Sequence, residues 1–501
     1  MASLVYSTKS YKDYGLLMAF IFFSAIVGLV AAFGNIKGDL IIVGMAFGCT
    51  VLFLPLRFVY WGMAIICFMV IGQLEYFAGI TAINWLPTAI GFGFYFRIPL
   101  EYLKSLRDRN SLPQHSPSFV IPVYLFLAMF VVSSLYNMSP AMQILVGSKT
   151  YLPYFSFLFI FLISYTKAKD LLDRLWKNFY WIAIIQVPLL LYQYFIIAPM
   201  RMSGLADDAM NGSFGGDPMN GGPSGAMAYT MVLIFALYLA MWKKKQTSTA
   251  SLVLVSIVVA LAILLAEVKV VIVFIPLIMF LVYRKESIRN PAFFLFILIL
   301  MFGFAAVTLI AYSYVHTTIG RSHDLAGMFN DAFGYILDPK YSQQQGKVEL
   351  GRLESITFWW NENDFDDIGH ILMGYGPGAS NGLSTVYISD LSRRYPLNLS
   401  RTVASQTLWD MGLLGILSYV AILLTGAWRA FALFKVLPET SFTSTILNVS
   451  GIGLLLMVIM VPYSNELSYV PAMQYMLMTM LAYIGVIDML VRKNKKKGAF
   501  T

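Results

Sequence analysis

Apolar runs of about 17–22 residues, separated by short polar breaks, fill most of this chain. Each is long enough to cross roughly 30 Å of hydrocarbon as a helix. Lipid-facing backbone must satisfy its own hydrogen bonds, which excludes open strands. The pattern therefore predicts an all-α polytopic membrane protein with spans near 14–33, 40–56, 58–75, 80–96, 119–137, 145–166, 178–197, 226–242, 250–266, 269–283, 292–313, 406–427, 444–462 and 468–488, fourteen in all. The stretch 250–283 reads as a hairpin with its tip at 267–269. A single helix of that length would run about 51 Å, too far for one crossing.

Two polar stretches interrupt the pattern. They divide the chain into membrane helices over 1–197, a Gly-rich loop over 198–225, helices over 226–313, a large loop over 314–404, and C-terminal helices with a basic tail over 405–501. The first loop runs Asn211-Gly212-Ser213-Phe214-Gly215-Gly216-Asp217-Pro218-Met219-Asn220-Gly221-Gly222-Pro223. Such glycine density suits either a flexible connector or a nest of backbone N–H groups around a phosphate. In the second loop, apolar residues at helical spacing predict short helices over 322–337 and 352–372. Gly374, Gly376 and Gly378 form the turn that ends the latter.

Composition agrees with the pattern. Of 501 residues, 58% are hydrophobic and 12% charged, and the mean hydropathy is +0.71. A soluble chain of this size would carry about 25% charge. Cys49 and Cys67 both lie in apolar runs, which argues against a disulfide framework or a thiolate metal site. The first apolar run is too long for a cleavable signal peptide. Fourteen spans put both termini on one side, and if that side is the cytoplasm, 24 of the 35 Lys and Arg lie inside. The bias is that of the positive-inside rule. The net charge of +9 is thus topological anchoring, with the basic tail facing anionic lipid and no role in nucleic-acid binding.

Arginine in an outer loop works against that bias, so function is the better account of part of the set in 314–404. Guanidinium holds phosphate oxygens bidentately and stays charged at physiological pH. Arg393 and Arg394 have a simpler reading as surface partners of Asp366, Asp367 or Asp390. At the tip of the 250–283 hairpin, Lys269 either serves a ligand or pairs with Glu267. His370 precedes the apolar Ile371-Leu372-Met373 and can simply end its helix. His115, His316 and His323 show no partner arrangement, and the acidic run at Asp364, Asp366 and Asp367 reads as a solvated turn. No paired His or carboxylate set has metal-ligand spacing, so neither a metal nor a cofactor is expected.

Gly351-Arg352, Trp359, Gly374-Tyr375-Gly376-Pro377-Gly378 and then Asp410-Met411-Gly412-Leu413-Leu414-Gly415 resemble the O-antigen ligase/Wzy polymerase superfamily. That family carries an Arg…Trp…Gly-x-Gly run in a long periplasmic loop, leading into a span that opens His-Asn-x8-Glu/Asp-x-Gly-Leu-x-Gly. Arg201, Gly204 and Asn220 look like its upstream Arg-x-x-Gly…Asn segment. Arg401 stands where the ligases have their His. Both Arg201 and Arg401 precede a glycine by eleven positions, similar to the Arg-x10-Gly motif of the polymerases. The resemblance spans about residues 198–425.

It implies a GT-C-like glycosyltransferase in the bacterial cytoplasmic membrane, with both termini in the cytoplasm. The implied reaction is metal-independent, inverting polymerisation of undecaprenyl-diphosphate-linked repeat units at the outer face, yielding O-antigen, capsule or exopolysaccharide. Donor and acceptor would be lipid-linked glycans, and a chain-length regulator and a flippase would be partners. Arg352, Arg401, Asp410 and His370 are the implied catalytic set, with Arg201, Glu267, Lys269, Tyr375 and Gly376 contacting substrate. Rival readings are the ligase, which moves finished glycan to a final acceptor, and a lipid-linked oligosaccharide flippase.

Overall fold

A computed structural model describes residues 54–107, 116–200, 210–219, 221–266, 268–316, 350–363, 366–382 and 387–496, with the single positions 336 and 338. Regular structure among them is helical, apart from one isolated β-bridge between Asp217 and Gly221. The elements are α1 (Leu56–Ala78), α2 (Trp85–Arg107), α3 (Val120–Tyr136), α4 (Ala141–Tyr151), α5 (Phe155–Ile163), α6 (Tyr165–Met200), α7 (Ser224–Lys243), α8 (Thr249–Ala266), α9 (Val271–Val282) and α10 (Pro291–His316). They continue as α11 (Arg352–Glu362), α12 (Ile368–Met373), α13 (Asp390–Arg394), α14 (Val403–Val436), α15 (Phe442–Tyr463), α16 (Glu466–Tyr469) and α17 (Pro471–Lys496). Among the described residues, seven helices are long and apolar enough to cross a membrane, or eight if the bent pair α4–α5 is one broken span. The chain is an all-α membrane protein.

Several elements depart from the expected spans, each for a local reason. The span expected at 145–166 is two helices meeting at 55°. Pro153 lies in the joint, where it removes a backbone donor. α2 approaches that joint so closely at Gly91 that a Cβ there would lie 2.6 Å from the Pro153 ring. Instead of one helix over 352–372 there are two, α11 and α12, separated at Asn363–Asp367 where Asp367 caps α12. The helix expected at 178–197 begins at Tyr165, and the one expected at 406–427 runs 34 residues with a non-helical break at Gly412. The spans at 14–33 and 40–56, and the helix at 322–337, lie outside the described residues.

α15 and α17 form the centre, with 83% and 89% of their apolar windows buried inside the protein. α8, at 28%, presents most of its surface outward, as a lipid-facing helix does. Glycines bring the central backbones close: Gly453 meets Met480 and accepts a 2.9 Å hydrogen bond from the Tyr229 hydroxyl at its carbonyl. Such small-residue contacts are the usual means of helix packing in lipid.

The two ends of the bundle differ. One carries ion pairs, including Arg429 and Arg492 on the buried Asp488, and Lys169 on Asp173. At the opposite end lie the Gly-rich loop, the described parts of the large loop, and the α15–α17 connection. A second, smaller aromatic core over α14, built of Trp359, Trp409, Leu350, Ile371, Leu399 and Leu408, holds the large loop on the bundle.

Candidate active site

The Gly-rich loop is a built element. Residues 210–219 and 221–223 fold back against α1, α6 and α7, and Asn211, Ser213 and Phe214 are buried. Non-helical backbone within a membrane bundle is tolerated where protein satisfies it, and two glutamines of α6 do so. Gln193 accepts from the N–H of Asn211 at 3.0 Å and of Gly212 at 2.8 Å, while donating to the Gly212 carbonyl at 2.9 Å. Gln186 accepts from Ser213 N–H at 2.7 Å and donates to its hydroxyl at 2.7 Å. The Ser213 hydroxyl donates to the carbonyl of Phe68, which lies in a π-helical turn of α1. Bulges of this kind commonly mark functional positions. A Cβ on Gly72 would lie 1.9 Å from the Ser213 carbonyl oxygen, so only glycine permits the approach. The N–H groups of Asn211, Gly212 and Ser213 are thus engaged by protein oxygens and not open to a phosphate.

The Gly374–Gly378 turn is equally fixed. Gly374 and Gly412 have positive φ of 69° and 67° and lie back to back; a Cβ on Gly412 would come within 2.4 Å of the Leu372 carbonyl carbon. The break in α14 frees the Trp409 carbonyl to accept from Tyr375 N–H at 2.8 Å. Asn137 donates to the Gly374 carbonyl at 3.0 Å and Gln143 to that of Tyr375 at 3.2 Å. A Cβ on Gly376 would lie 2.1 Å from the Ser139 hydroxyl. Asp410 is wholly buried beneath this turn, accepting from the Tyr151 hydroxyl at 2.8 Å and from Ser380 N–H at 2.8 Å. Its two oxygens anchor the turn to the bundle and face no open cleft. His370 is half-buried: Nδ1 meets Asp367, Nε2 lies 3.1 Å from Asn137 Oδ1, and the ring stacks on Tyr375 at 4.5 Å. That pairing holds the exposed Asp367 carboxyl below its usual range. Both imidazole nitrogens thus face protein oxygens.

Arg352 meets a carboxylate elsewhere, at the α15–α17 connection. Arg352, the first residue of α11, donates to the Tyr463 carbonyl and lies 3.8 Å above the Tyr463 ring. Glu354 accepts from Gly351 N–H at 2.8 Å and so closes the start of that helix. Just beyond Tyr463, the half-buried Glu466 opens α16, with its Oε2 sealed from solvent. Burial pushes its carboxyl up to about 7, against the opposing pull of Arg352, the Ser464 hydroxyl and the Gly225 backbone. A Cβ on Gly225, in the first turn of α7, would lie 2.6 Å from Glu466 Oε2. Arg401 reaches the same segment through its neighbours: Asn465 donates to the Ser400 carbonyl at 2.9 Å, and Val403 N–H to the Ser464 carbonyl at 3.1 Å. The far end of α16 continues the polar layer, with Tyr469 exposed and in electrostatic reach of Glu75. Glu75 accepts from Asn84 at 3.1 Å, and Lys149 sits 4.8 Å over the Trp85 ring.

Arg352, the backbone around Arg401 and the end of the Gly-rich loop therefore converge on residues 463–469. Asp410, Tyr375 and Gly376 belong to the scaffold beside them, together with His370. Lys269 lies in the turn between α8 and α9 at the same end of the bundle, while Arg201, Asn220 and Glu267 lie outside the described residues. Arg393 pairs with Asp390 at 3.2 Å on the surface, and Arg394 lies 5.2 Å over the Tyr395 ring. Glu466 was signalled only by a short polar break, Ser464-Asn465-Glu466, between two apolar runs. No protein-family model matches this sequence, and no curated protein matches it.

Proposed function

We propose that this chain is a membrane glycosyltransferase that polymerises lipid-diphosphate-linked repeat units at the outer face of the bacterial cytoplasmic membrane. The observation that supports the reading most is the convergence on Glu466: a carboxylate with a raised proton affinity, a guanidinium beside it, and a second arginine whose neighbours Ser400 and Val403 make backbone contacts to the same segment. Buried ionisable groups that coincide with an opposite charge are where catalytic acids and bases tend to be found.

In this reading Glu466 is the general base. It takes the proton of an acceptor sugar hydroxyl as the hydroxyl oxygen bonds to the anomeric carbon of the donor. The bond from that carbon to the diphosphate oxygen breaks, and the lipid diphosphate leaves with the electron pair. Arg352 and Arg401 stabilise the charge that develops on the leaving oxygens. A base whose proton affinity lies near neutral pH suits this role. Asp410, sealed under its turn, and His370, facing Asp367 and Asn137, hold the large loop in place.

Deletion of the gene in its native host, followed by gel and mass analysis of surface and lipid-linked glycans, tests the reading. Single repeats at the surface without the long ladder are expected. Long chains stranded on the carrier lipid would mean the ligase, and repeats trapped on the inner leaflet the flippase.

A further inference from the structure

The opposite end of the bundle holds a cluster of cations that the proposed reaction does not use. Lys243 and Lys244 end α7, and Arg284 and Lys285 follow α9; Lys244, Arg284 and Lys285 lie against the end of α14 and the start of α15. Three of them share one phenyl ring: Lys244, Arg284 and Lys285 lie 4.8, 5.1 and 5.9 Å from the centroid of Phe434. Arg284 also lies 4.6 Å over Phe431, and Lys243 lies 4.7 Å over Tyr283.

Carboxylates compensate only half of this charge. Lys243 pairs with Glu286 at 2.7 Å, and Lys285 pairs with Glu439. Lys244 instead donates to the Ser444 hydroxyl at 3.1 Å, and Arg284 to the Asn448 side-chain oxygen at 2.8 Å and the Leu281 carbonyl at 3.1 Å. Both are partly buried and hydrogen-bond only to neutral groups, with Glu439 and Glu286, each already paired to another lysine, as the nearby carboxylates; such burial is costly for cations unless an anion completes the site. The strain registers on Lys244: burial, with repulsion from Lys243, Lys285 and Arg284, pulls its ammonium down to about 8 despite Glu439.

We propose that Lys244 and Arg284, framed by Phe434 and Phe431, bind the phosphate of an anionic phospholipid in the leaflet at this end of the bundle. A phosphodiester would take hydrogen bonds from both cations, and its acyl chains would lie along the apolar surface of the neighbouring helices. The helix ends place the cluster at headgroup depth, where each basic residue contributes about 1 kcal/mol to attraction of anionic lipid.

The test is native mass spectrometry of the full chain equilibrated with phosphatidylglycerol and phosphatidylcholine. The wild-type protein is expected to retain phosphatidylglycerol in about thirtyfold preference. Lys244→Gln with Arg284→Gln is expected to bring that preference close to one. Glu439→Gln, which removes a competing carboxylate and no cation, is expected to raise it, an outcome that misfolding would not produce. Equal retention of the two lipids by the wild type, or an unchanged preference in the double variant, would overturn the proposal. Displacement of the lipid by millimolar inorganic phosphate would assign the site to the free ion instead.

Discussion

Replacing Glu466 with Gln should make the protein more stable and inactive at once. The glutamate carboxyl is raised from an ordinary value of 4.5 to about 7 by burial, even with Arg352 beside it. At about 1.36 kcal/mol for each unit of pKa, holding it ionised costs the folded state up to about 3 kcal/mol above neutral pH. The sign follows from linkage. The folded state binds the proton more tightly than the unfolded chain, so this group's stability contribution is greatest in acid and is lost as pH rises from about 4.5 through about 7. Glutamine fills the same space and never ionises. In detergent, Glu466→Gln should therefore melt at a higher apparent Tm than the wild type at pH 8, and at a similar Tm near pH 4.5. Polymerisation by the same variant should fall by about 10²–10⁴, the range of general acid–base catalysis. The opposition of stability and activity is a known signature of functional sites. A variant less stable than the wild type at pH 8, or one that polymerises normally, would refute the assignment.

Arg352→Gln removes the charge that opposes protonation of Glu466. The rising limb of its pH–rate profile should move to higher pH, with Arg352→Lys intermediate, as read from initial rates across pH 6–9. Gly225→Ala should push the Glu466 carboxylate aside, because the new methyl would lie 2.6 Å from Oε2. Its kcat should drop while its Tm stays within about 1 kcal/mol equivalent of the wild type, since only the end of a flexible side chain must move. Gly412→Ala meets backbone at 2.4 Å and a positive φ of 67°. A loss of roughly 2–4 kcal/mol is expected from strain and overpacking together, seen as reduced monodisperse protein in size-exclusion chromatography. Asp410→Ala leaves the Tyr151 hydroxyl and Ser380 N–H without their acceptor. Limited proteolysis should then cut the 350–400 region faster than in the wild type.

Hydrophobic periodicity made the fold class legible, because lipid imposes length and helicity on every span. Local breaks inside apolar runs were not legible. Pro153 sits among aromatic residues that read as one continuous span, and the α4–α5 bend also depends on α2 closing on it at Gly91. Gly412 looks like an ordinary helix glycine until Gly374, distant in sequence, packs against its positive-φ backbone. Arg352 stood out because an arginine in a loop read as outer runs against the expected charge bias. Asp410 stood out for its spacing, yet its oxygens are engaged by Tyr151 and Ser380, a fact fixed by tertiary contact. Glu466 escaped notice because its break is three residues long, and its close contact with Gly225 joins positions about 240 apart in the sequence.

The most direct test is reconstitution of the purified chain in liposomes with synthetic undecaprenyl-diphosphate-linked repeat units, following ladder growth and released lipid diphosphate together. A ladder with stoichiometric lipid diphosphate from the wild type, and both reduced at least about a hundredfold in Glu466→Gln and Arg352→Ala at equal folded protein, is the expected result. No turnover of lipid-linked repeats by folded wild-type protein, or undiminished turnover by both variants, would contradict the account.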